Sequence, residues 1–178
     1  VFNSFVQRSA EDLNTAFDYF KKEDVSELIL DLRYNSGGYI SIARQLASQI
    51  GGTHVLGKNM LSYVYNNNNS SSNYDLSFDL LEGKEQLNLS RVVILTTKHT
   101  ASASEMVANA LTPYIDVQIV GSRSHGKPVG MDINKLCDHR IFAINFQTNN
   151  ASGFGDYFDG LPVDCTAEDT VEHNWGDR

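Results

Sequence analysis

The sequence has no cluster of basic residues and no long apolar run. Its 14 Lys and Arg residues are outnumbered by 22 Asp and Glu residues, which leaves a formal net charge of −8. Nucleic-acid binding requires Lys and Arg concentrated on one face, so this balance argues against nucleic acid as a partner. No apolar run approaches the roughly 18 residues of a transmembrane helix. We therefore expect no membrane-spanning segment in these residues.

Cysteine and histidine are too few and too scattered to predict a metal site. None of the five histidines stands at ligand spacing from a cysteine or carboxylate. The two cysteines, Cys137 and Cys165, are far from any CxxC spacing. They are either buried or incidental thiols, or one disulfide that pins the C-terminal segment in an oxidising compartment.

The length and composition match one globular domain with a sizeable core. The chain has 178 residues, of which 41% are hydrophobic and 20% charged, and no internal repeat is visible. It begins at Val1 rather than at Met and shows no signal peptide. We expect residues 1–178 to be a single domain from a longer protein.

Helical and buried-strand patterns alternate through the first two thirds of the chain. The predicted elements are a helix from Ser9, a strand over 27–33, a helix that ends at Gly51, a strand over 91–97, a helix over 102–114 and a strand over 116–121. The three strands have nearly continuous apolar runs, which are typical of strands buried on both faces. This order predicts an α/β fold with right-handed crossovers and a mainly parallel central sheet.

Two further strand pairs are predicted outside that alternation. Residues 59–65 and 74–80 are interpreted as a hairpin whose connection, the Asn and Ser run over 66–73, should be a mobile surface loop. Residues 129–136 and 140–147 alternate more strongly and are interpreted as an antiparallel pair.

A serine and a lysine stand in two of the loops that follow the parallel strands, where α/β proteins bind their ligands. Ser102 is placed at the first turn of a helix, and Lys127 follows 25 residues later in a glycine-flanked loop. A serine hydroxyl is a weak nucleophile until a base takes its proton, and a lysine can act as that base when burial lowers its pKa. The pair therefore has the composition of a Ser–Lys dyad.

Backbone N–H groups near this serine could stabilise a negative charge on the substrate. The N–H of Ala103 is one candidate, and the second is the N–H of Gly37 or Gly38, where the missing side chain allows close approach. Arg33 and Asn35, in the same loop, are expected to brace it rather than to react.

Each of these residues also has an ordinary interpretation when taken alone. Ser102 could be a helix N-cap, Lys127 a solvated surface lysine, and the two glycines a turn. Only the joint arrangement favours catalysis. A dyad of Ser104 and His125 is a further alternative, although no acid is evidently placed to orient the imidazole.

Several segments resemble motifs of the carboxyl-terminal processing, or tail-specific, proteases of peptidase family S41. Residues 30–38 (Leu-Asp-Leu-Arg-Tyr-Asn-Ser-Gly-Gly) resemble the strand-and-glycine element, and residues 102–105 (Ser-Ala-Ser-Glu) the nucleophile motif. Gly126-Lys127 resembles the general-base motif, at the family's spacing, and residues 157–164 the closing glycine-proline-acid stretch. The resemblance covers roughly residues 10–177.

The resemblance implies a ClpP/crotonase-like α/β core with Ser102 as nucleophile and Lys127 as general base. Ala103 and one of Gly37 or Gly38 would form the oxyanion hole. The implied substrates are polypeptides, often cut near the C-terminus, and no metal or organic cofactor is implied. The family also implies an exported bacterial protein, periplasmic or associated with the cell envelope.

The chain departs from the family pattern in two respects. Many members have Gln four residues after the lysine to orient its amine, whereas Met131 stands here. Glu105 is a possible substitute because it lies three residues along the helix from Ser102, or it is an ordinary helix carboxylate favoured by the dipole. No PDZ module is seen in the sequence. An exported family also favours a disulfide between Cys137 and Cys165.

We therefore predict a serine endopeptidase of the C-terminal processing type. The alternative from another class is a non-catalytic member that holds peptides or other ligands in the same cleft. A crotonase-like acyl-CoA enzyme is a third possibility, but its chemistry would have no use for Lys127 at this position. The sequence leaves the oligomeric state open.

Overall fold

The computed structural model describes residues 1–167 as two sheets packed with three helices. The helices are α1 (Ser9–Lys22), α2 (Ile40–Gly51) and α3 (Ala103–Leu111), and short 3-10 helices cover Gly52–His54 and Asn67–Ser72. The strands are β1 (Ile29–Asp31), β2 (Asn59–Tyr65), β3 (Tyr74–Ser77), β4 (Arg91–Thr96), β5 (Asp116–Gly121), β6 (Val129–Leu136), β7 (His139–Asn149) and β8 (Cys165–Thr166).

The first sheet is parallel throughout and has the strand order β1-β4-β5-β8. Helix α2 packs against both α1 and α3. The apolar side of α2 is buried, and core side chains from both layers are fully enclosed, among them Leu32, Leu46, Ile94 and Leu111. The predicted α/β class with a mainly parallel sheet is confirmed.

The first strand is shorter and more exposed than predicted. The apolar run over 27–33 was expected to be buried on both faces, but β1 has only three residues and Ile29 is 66% exposed. The reason is its place at the edge of the sheet, where β4 is its one strand neighbour within residues 1–167. The run is apolar because Leu30 and Leu32 enter the core, not because the strand is central.

The second sheet is antiparallel, with the order β3-β2-β7-β6, and it joins the two predicted strand pairs. The hairpin of β2 with β3 and the pair of β6 with β7 are both confirmed. Strand β2 also pairs with β7, from Ser62 opposite Asn149 to Tyr65 opposite Phe146. No local pattern in the sequence predicts this long-range pairing.

The Asn and Ser run after β2 has local structure where an irregular loop was expected. It forms the 3-10 helix over Asn67–Ser72, and the Asn66 side chain accepts a hydrogen bond from the N–H of Asn69 at 3.1 Å. Asn is well suited to this position because its short amide satisfies backbone donors at the start of a helical turn.

Strands β6 and β7 form a two-stranded ribbon, residues 129–149, whose outer part from 131 to 144 is exposed. Cys137 lies at its turn and Cys165 lies in β8. Both thiols are free and exposed, so the structure contains neither the expected disulfide nor buried cysteines. Within residues 1–167 no helix is long and apolar enough to cross a membrane. The predicted C-terminal end of the family resemblance, beyond residue 167, lies outside the described residues.

Candidate active site

The loop after β1 is held by hydrogen bonds of its own side chains. Arg33 donates from Nε and Nη2 to the two oxygens of Asp31, at 3.0 and 2.8 Å. The buried Asn35 donates from Nδ2 to the carbonyl oxygen of Phe2 at 2.8 Å and accepts at Oδ1 from the N–H of Gly37 at 2.9 Å. These contacts support the bracing role expected for Arg33 and Asn35.

The Asp31–Arg33 pair predicts a pH-dependent contribution to stability. The hydrogen bonds from Arg33 hold the pKa of Asp31 below its usual value of 3.8, against the opposing effect of burial. A lowered native pKa stabilises the fold fully above the unfolded pKa, and this contribution disappears as the pH falls through the native value. Asp31→Asn should therefore unfold at lower urea concentration than the natural protein at about pH 6, and the difference should shrink as the pH is lowered below 3.8. A difference that does not change as the pH falls below 3.8 would contradict this assignment. Asp18→Asn, on the exposed face of α1, is the matched control.

Ser102 lies at the turn between β4 and α3 in a strained backbone conformation. Its φ is 57° and its ψ −118°, a combination that L-residues other than glycine rarely adopt. Thr100 ties this turn to the loop after β1, because its Oγ1 donates to the carbonyl oxygen of Leu32 at 2.7 Å. Such strain persists only where surrounding contacts enforce it, and it is concentrated at functional sites.

The glycine loop packs directly on the Ser102 turn. A Cβ atom added to Gly37 would lie 2.8 Å from the Ser102 Cβ and 2.9 Å from the Ala103 nitrogen. The N–H of Gly37 is already bound to Asn35. Within residues 1–167 the N–H groups of Gly38 and Ala103 have no acceptor. Of the two glycines left open by the sequence, Gly38 is therefore the one with a donor available to a substrate oxygen.

The close approach at Gly37 can be tested by substitution. Gly37 has a φ of +100°, so Gly37→Ala should introduce both backbone strain and collisions with Ala101, Ser102 and Ala103. We expect the variant to lose about 2 kcal/mol or more of unfolding free energy. Gly153→Ala is the matched control, because Gly153 has a φ of +82° and open space around it. If chemical denaturation gave equal losses of unfolding free energy for the two variants, the packing of Gly37 against Ser102 would make no contribution to stability.

Glu105 connects the turn that carries Ser102 with the loop that carries Lys127. Its fully buried carboxylate accepts four hydrogen bonds. Oε2 accepts from the N–H groups of Ser102 and Lys127 at 2.8 and 2.9 Å. Oε1 accepts from the N–H of Gly126 and from the hydroxyl of Ser124, both at 2.6 Å. Glu105 therefore contacts the backbone of Lys127 and not its amine, unlike the Gln for which it was considered as a substitute.

Ser102 and Lys127 line the same surface cleft, which has a volume of about 470 Å³. Gly38 and Met131 line it too, as do the apolar side chains of Val6, Tyr39, Ile40, Met106 and Val129. Within the described part of the chain, the Lys127 amine makes no hydrogen bond, including to Ser102. Hydrogen bonds between catalytic groups are often long or unformed before substrate binds.

The alternative pair of Ser104 and His125 lies elsewhere. Ser104 is buried, and its hydroxyl donates to the carbonyl oxygen of Asn35 at 2.8 Å. His125 is exposed and its backbone N–H bonds to the carbonyl oxygen of Thr100. Neither side chain lines the cleft of Ser102, so Ser104 serves to attach α3 to the glycine loop.

Two groups of residues around this cleft were not predicted from the sequence. Ser124, buried beside Glu105, gives no recognisable signal because an isolated serine in a loop has many possible partners. Ile133, Arg140 and Phe142 reach the cleft from the ribbon. Their alternate spacing along two antiparallel strands was the available signal, had the ribbon been placed beside Lys127.

Sequence comparison relates the chain to proteolytic enzymes. The family described as Peptidase family S41 matches residues 1–154. The carboxy-terminal processing protease CtpA of Bacillus subtilis is 29% identical over 125 residues, which are 70% of this chain and 24% of that protein. The chloroplastic carboxyl-terminal-processing peptidase 3 of Arabidopsis thaliana is 29% identical over 135 residues, 76% of this chain and 24% of that protein. The chain spans about a quarter of the length of these relatives.

Structural comparison agrees with the sequence match. A crystal structure of a candidate S41 protease from Bacteroides fragilis superimposes with a TM-score of 0.85 at 30% identity, covering 94% of this chain and 46% of that chain. The photosystem II D1 C-terminal processing protease has the same fold, with a TM-score of 0.75 at 21% identity, 94% of this chain and 41% of that chain. With the match over residues 1–154, the chain belongs to peptidase family S41.

Proposed function

We propose that this chain is the catalytic core of a serine endopeptidase of the C-terminal processing type, with a Ser–Lys dyad. Its similarity to proteins named as carboxy-terminal processing proteases supports proteolysis as the activity. The observation that carries the proposal is that Ser102 and Lys127 line one cleft while a single buried carboxylate, Glu105, binds the backbone N–H groups of both.

In the proposed first half-reaction, Ser102 attacks the scissile carbonyl carbon of a bound polypeptide. The neutral amine of Lys127 takes the proton from the serine hydroxyl as the new C–O bond forms. Negative charge moves to the carbonyl oxygen, where the N–H groups of Gly38 and Ala103 would donate to it at the positive end of α3. Lys127 then gives its proton to the leaving amine, the C–N bond breaks, and an acyl-enzyme remains.

In the second half-reaction, water replaces the amine as the incoming nucleophile. Lys127 takes a proton from the water, the acyl–oxygen bond breaks, and the proton returns to Ser102. Every proton in this cycle is exchanged between substrate, water, Ser102 and Lys127. The proposed cycle therefore needs no metal ion and no organic cofactor.

Glu105 and Asn35 enter this proposal as positioning residues. Glu105 holds the backbone at both reacting side chains, and Asn35 engages the N–H of Gly37, which leaves the neighbouring Gly38 to donate to the substrate. Met131 lies in the cleft at the position where many relatives carry Gln. A thioether cannot orient an amine as an amide oxygen does, so the proposal has no third side chain bound to the amine.

Two broader statements belong to the same proposal. Residues 1–178 would form a single catalytic core domain, which acts on polypeptides alone or within a longer protein. The location would be exported, periplasmic or associated with the cell envelope, by analogy with the bacterial members of the family.

Cleavage of an unfolded test protein, followed by gel electrophoresis and mass spectrometry, tests the proposed activity. We expect fragments with this chain and none with Ser102→Ala. Covalent labelling of Ser102 by an acylating probe at raised pH, where lysine is more often neutral, is the second measurement. Absence of both cleavage and labelling, with binding of peptide retained, would overturn the proposal in favour of a non-catalytic peptide-binding member.

A further inference from the structure

One face of the β6–β7 ribbon lines part of the cleft that contains Ser102. Residues directly opposite each other on antiparallel strands share a face. The register therefore places six side chains on this cleft-facing side, as the opposed pairs Met131–Ile144, Ile133–Phe142 and Lys135–Arg140. Four of them, Met131, Ile133, Arg140 and Phe142, line the cleft, whereas the alternate residues of the outer part of the ribbon, from 131 to 144, do not.

This ribbon face is apolar near Ser102 and basic at its tip. Its four apolar side chains are between 38% and 63% exposed, although they are large and hydrophobic. Exposed apolar area of this kind beside a cleft is typical of a binding surface. Lys135 and Arg140 follow at the outer end, next to the turn.

The two basic residues at the tip of the ribbon, Lys135 and Arg140, repel each other. Lys135 and Arg140 stand directly opposite each other, and like charges in that relation destabilise a two-stranded ribbon. Within residues 1–167 neither has an acidic partner within salt-bridge distance. Two adjacent unpaired cations, in a chain whose net charge is −8, form a local site for an anion.

Neither acidic residue of the ribbon, Asp132 or Asp138, forms an ion pair with Lys135 or Arg140 in the described part of the chain. Asp132 lies on the opposite face, where it accepts from the Tyr65 hydroxyl and from Asn145 Nδ2, both at 2.9 Å. Desolvation, together with the hydrogen bond to Asp132, raises the pKa of Tyr65 to about 12, so this hydroxyl remains a donor. Asp138 belongs to the turn and forms no ion pair in the described part of the chain.

We infer that Lys135 and Arg140 form a carboxylate-binding subsite at the outer end of the catalytic cleft. The inference rests on the proposed function and deepens it by naming a substrate class: polypeptides with an apolar side chain near the scissile bond and a carboxylate farther along. Met131 and Lys135 are four residues apart on one strand, about 13 Å. An extended substrate spans that distance with about four residues. The carboxylate comes either from an Asp or Glu side chain or from the end of the substrate chain.

Peptide binding to the Ser102→Ala protein tests this subsite independently of turnover. The probes are fluorescent peptides with one apolar anchor and, about four residues away in either direction, Asp or Asn. A second pair of peptides has its C-terminus at that distance from the anchor, and one peptide of the pair ends in a free carboxylate and the other in an amide. We expect the carboxylate peptides of at least one pair to bind about tenfold more tightly, since two partly exposed ion pairs contribute about 1.4 kcal/mol together. The pair that shows the difference identifies the source of the carboxylate.

Charge reversal supplies the decisive control. Combining Lys135→Glu with Arg140→Glu should remove the preference for carboxylate peptides. The double variant should bind a peptide with Lys in place of Asp more tightly, and its affinity for the Asn peptide should not fall. Lys21→Glu with Lys22→Glu changes the net charge equally at the end of α1, away from the cleft, and should leave the preference intact. Equal binding of carboxylate and neutral peptides by the Ser102→Ala protein would overturn the subsite, even if the natural chain cuts both. Charge-dependent binding without any cleavage would uphold the subsite and count against the peptidase.

Discussion

Replacing Ser102 by Ala should lower peptide hydrolysis by about 10⁴-fold or more, and replacing Lys127 by Arg by at least about 10³-fold. Ser102→Ala removes the atom that forms the acyl-enzyme. Lys127→Arg keeps a positive charge and a long side chain, but a guanidinium does not lose its proton and cannot act as a base. The measurement is the initial rate of cleavage of an unfolded protein, with the concentration of folded enzyme determined by circular dichroism.

The backbone at Ser102 provides a control that separates lost chemistry from lost folding. Because Ser102 has a φ of 57°, glycine should relieve strain there, whereas alanine should not. We expect Ser102→Gly to be about 1 kcal/mol more stable than Ser102→Ala in urea denaturation, after allowing for the greater freedom of glycine in the unfolded chain. Both variants should be inactive. Appreciable turnover by either one would rule out Ser102 as the nucleophile.

Replacing Glu105 by Gln should have the largest effect outside the Ser–Lys pair, although Glu105 need not touch the substrate. Each carboxylate oxygen accepts a backbone N–H, from Gly126 on Oε1 and from Ser102 and Lys127 on Oε2. In either orientation the NH₂ group of Gln would face at least one of these donors. We expect a loss of about 3 kcal/mol in unfolding free energy and a fall in kcat of about 10²-fold.

A merely structural role for Glu105 would give a different result. If it positions Ser102 and Lys127, the folded Glu105→Gln protein should show a lower kcat at nearly unchanged KM, and slower labelling of Ser102 by an acylating probe. Ser124→Ala is the matched control, because it removes one donor to the same carboxylate and keeps the three backbone bonds. Its kcat should fall by less than about tenfold. A stability loss in Glu105→Gln with normal kcat per folded molecule would contradict the positioning role.

The elements that were predicted well are those whose pattern is local. The bounds of β2, β5 and β6 agree with the predicted residues, and α2 ends at the predicted glycine. Their periodicity is set by neighbours a few residues away, which a single sequence contains. The nucleophile and base motifs are recognisable for the same reason, since each is a short run of residues.

The predictions that failed depended on contacts between distant residues. An edge strand and a central strand can have the same apolar run, and the burial of β1 on both faces was predicted wrongly because the neighbours of a strand cannot be read from its own residues. The pairing of β2 with β7 joins segments more than 80 residues apart, and no local pattern specifies that partner. The state of Cys137 likewise depends on the tertiary structure, because its exposure follows from its place at the turn of the ribbon.

The sequence alone therefore determined the α/β class, the membership in peptidase family S41 and the short motifs that contain Ser102 and Lys127. Only the tertiary structure decided that the N–H of Gly37 is taken by Asn35, that Glu105 bridges the two motif backbones, and that Arg140 reaches the cleft. The physical reason is that apolar patterning follows from chemistry along the chain. Hydrogen bonds of polar groups have many possible partners, and the fold selects among them by bringing distant donors and acceptors within about 3 Å.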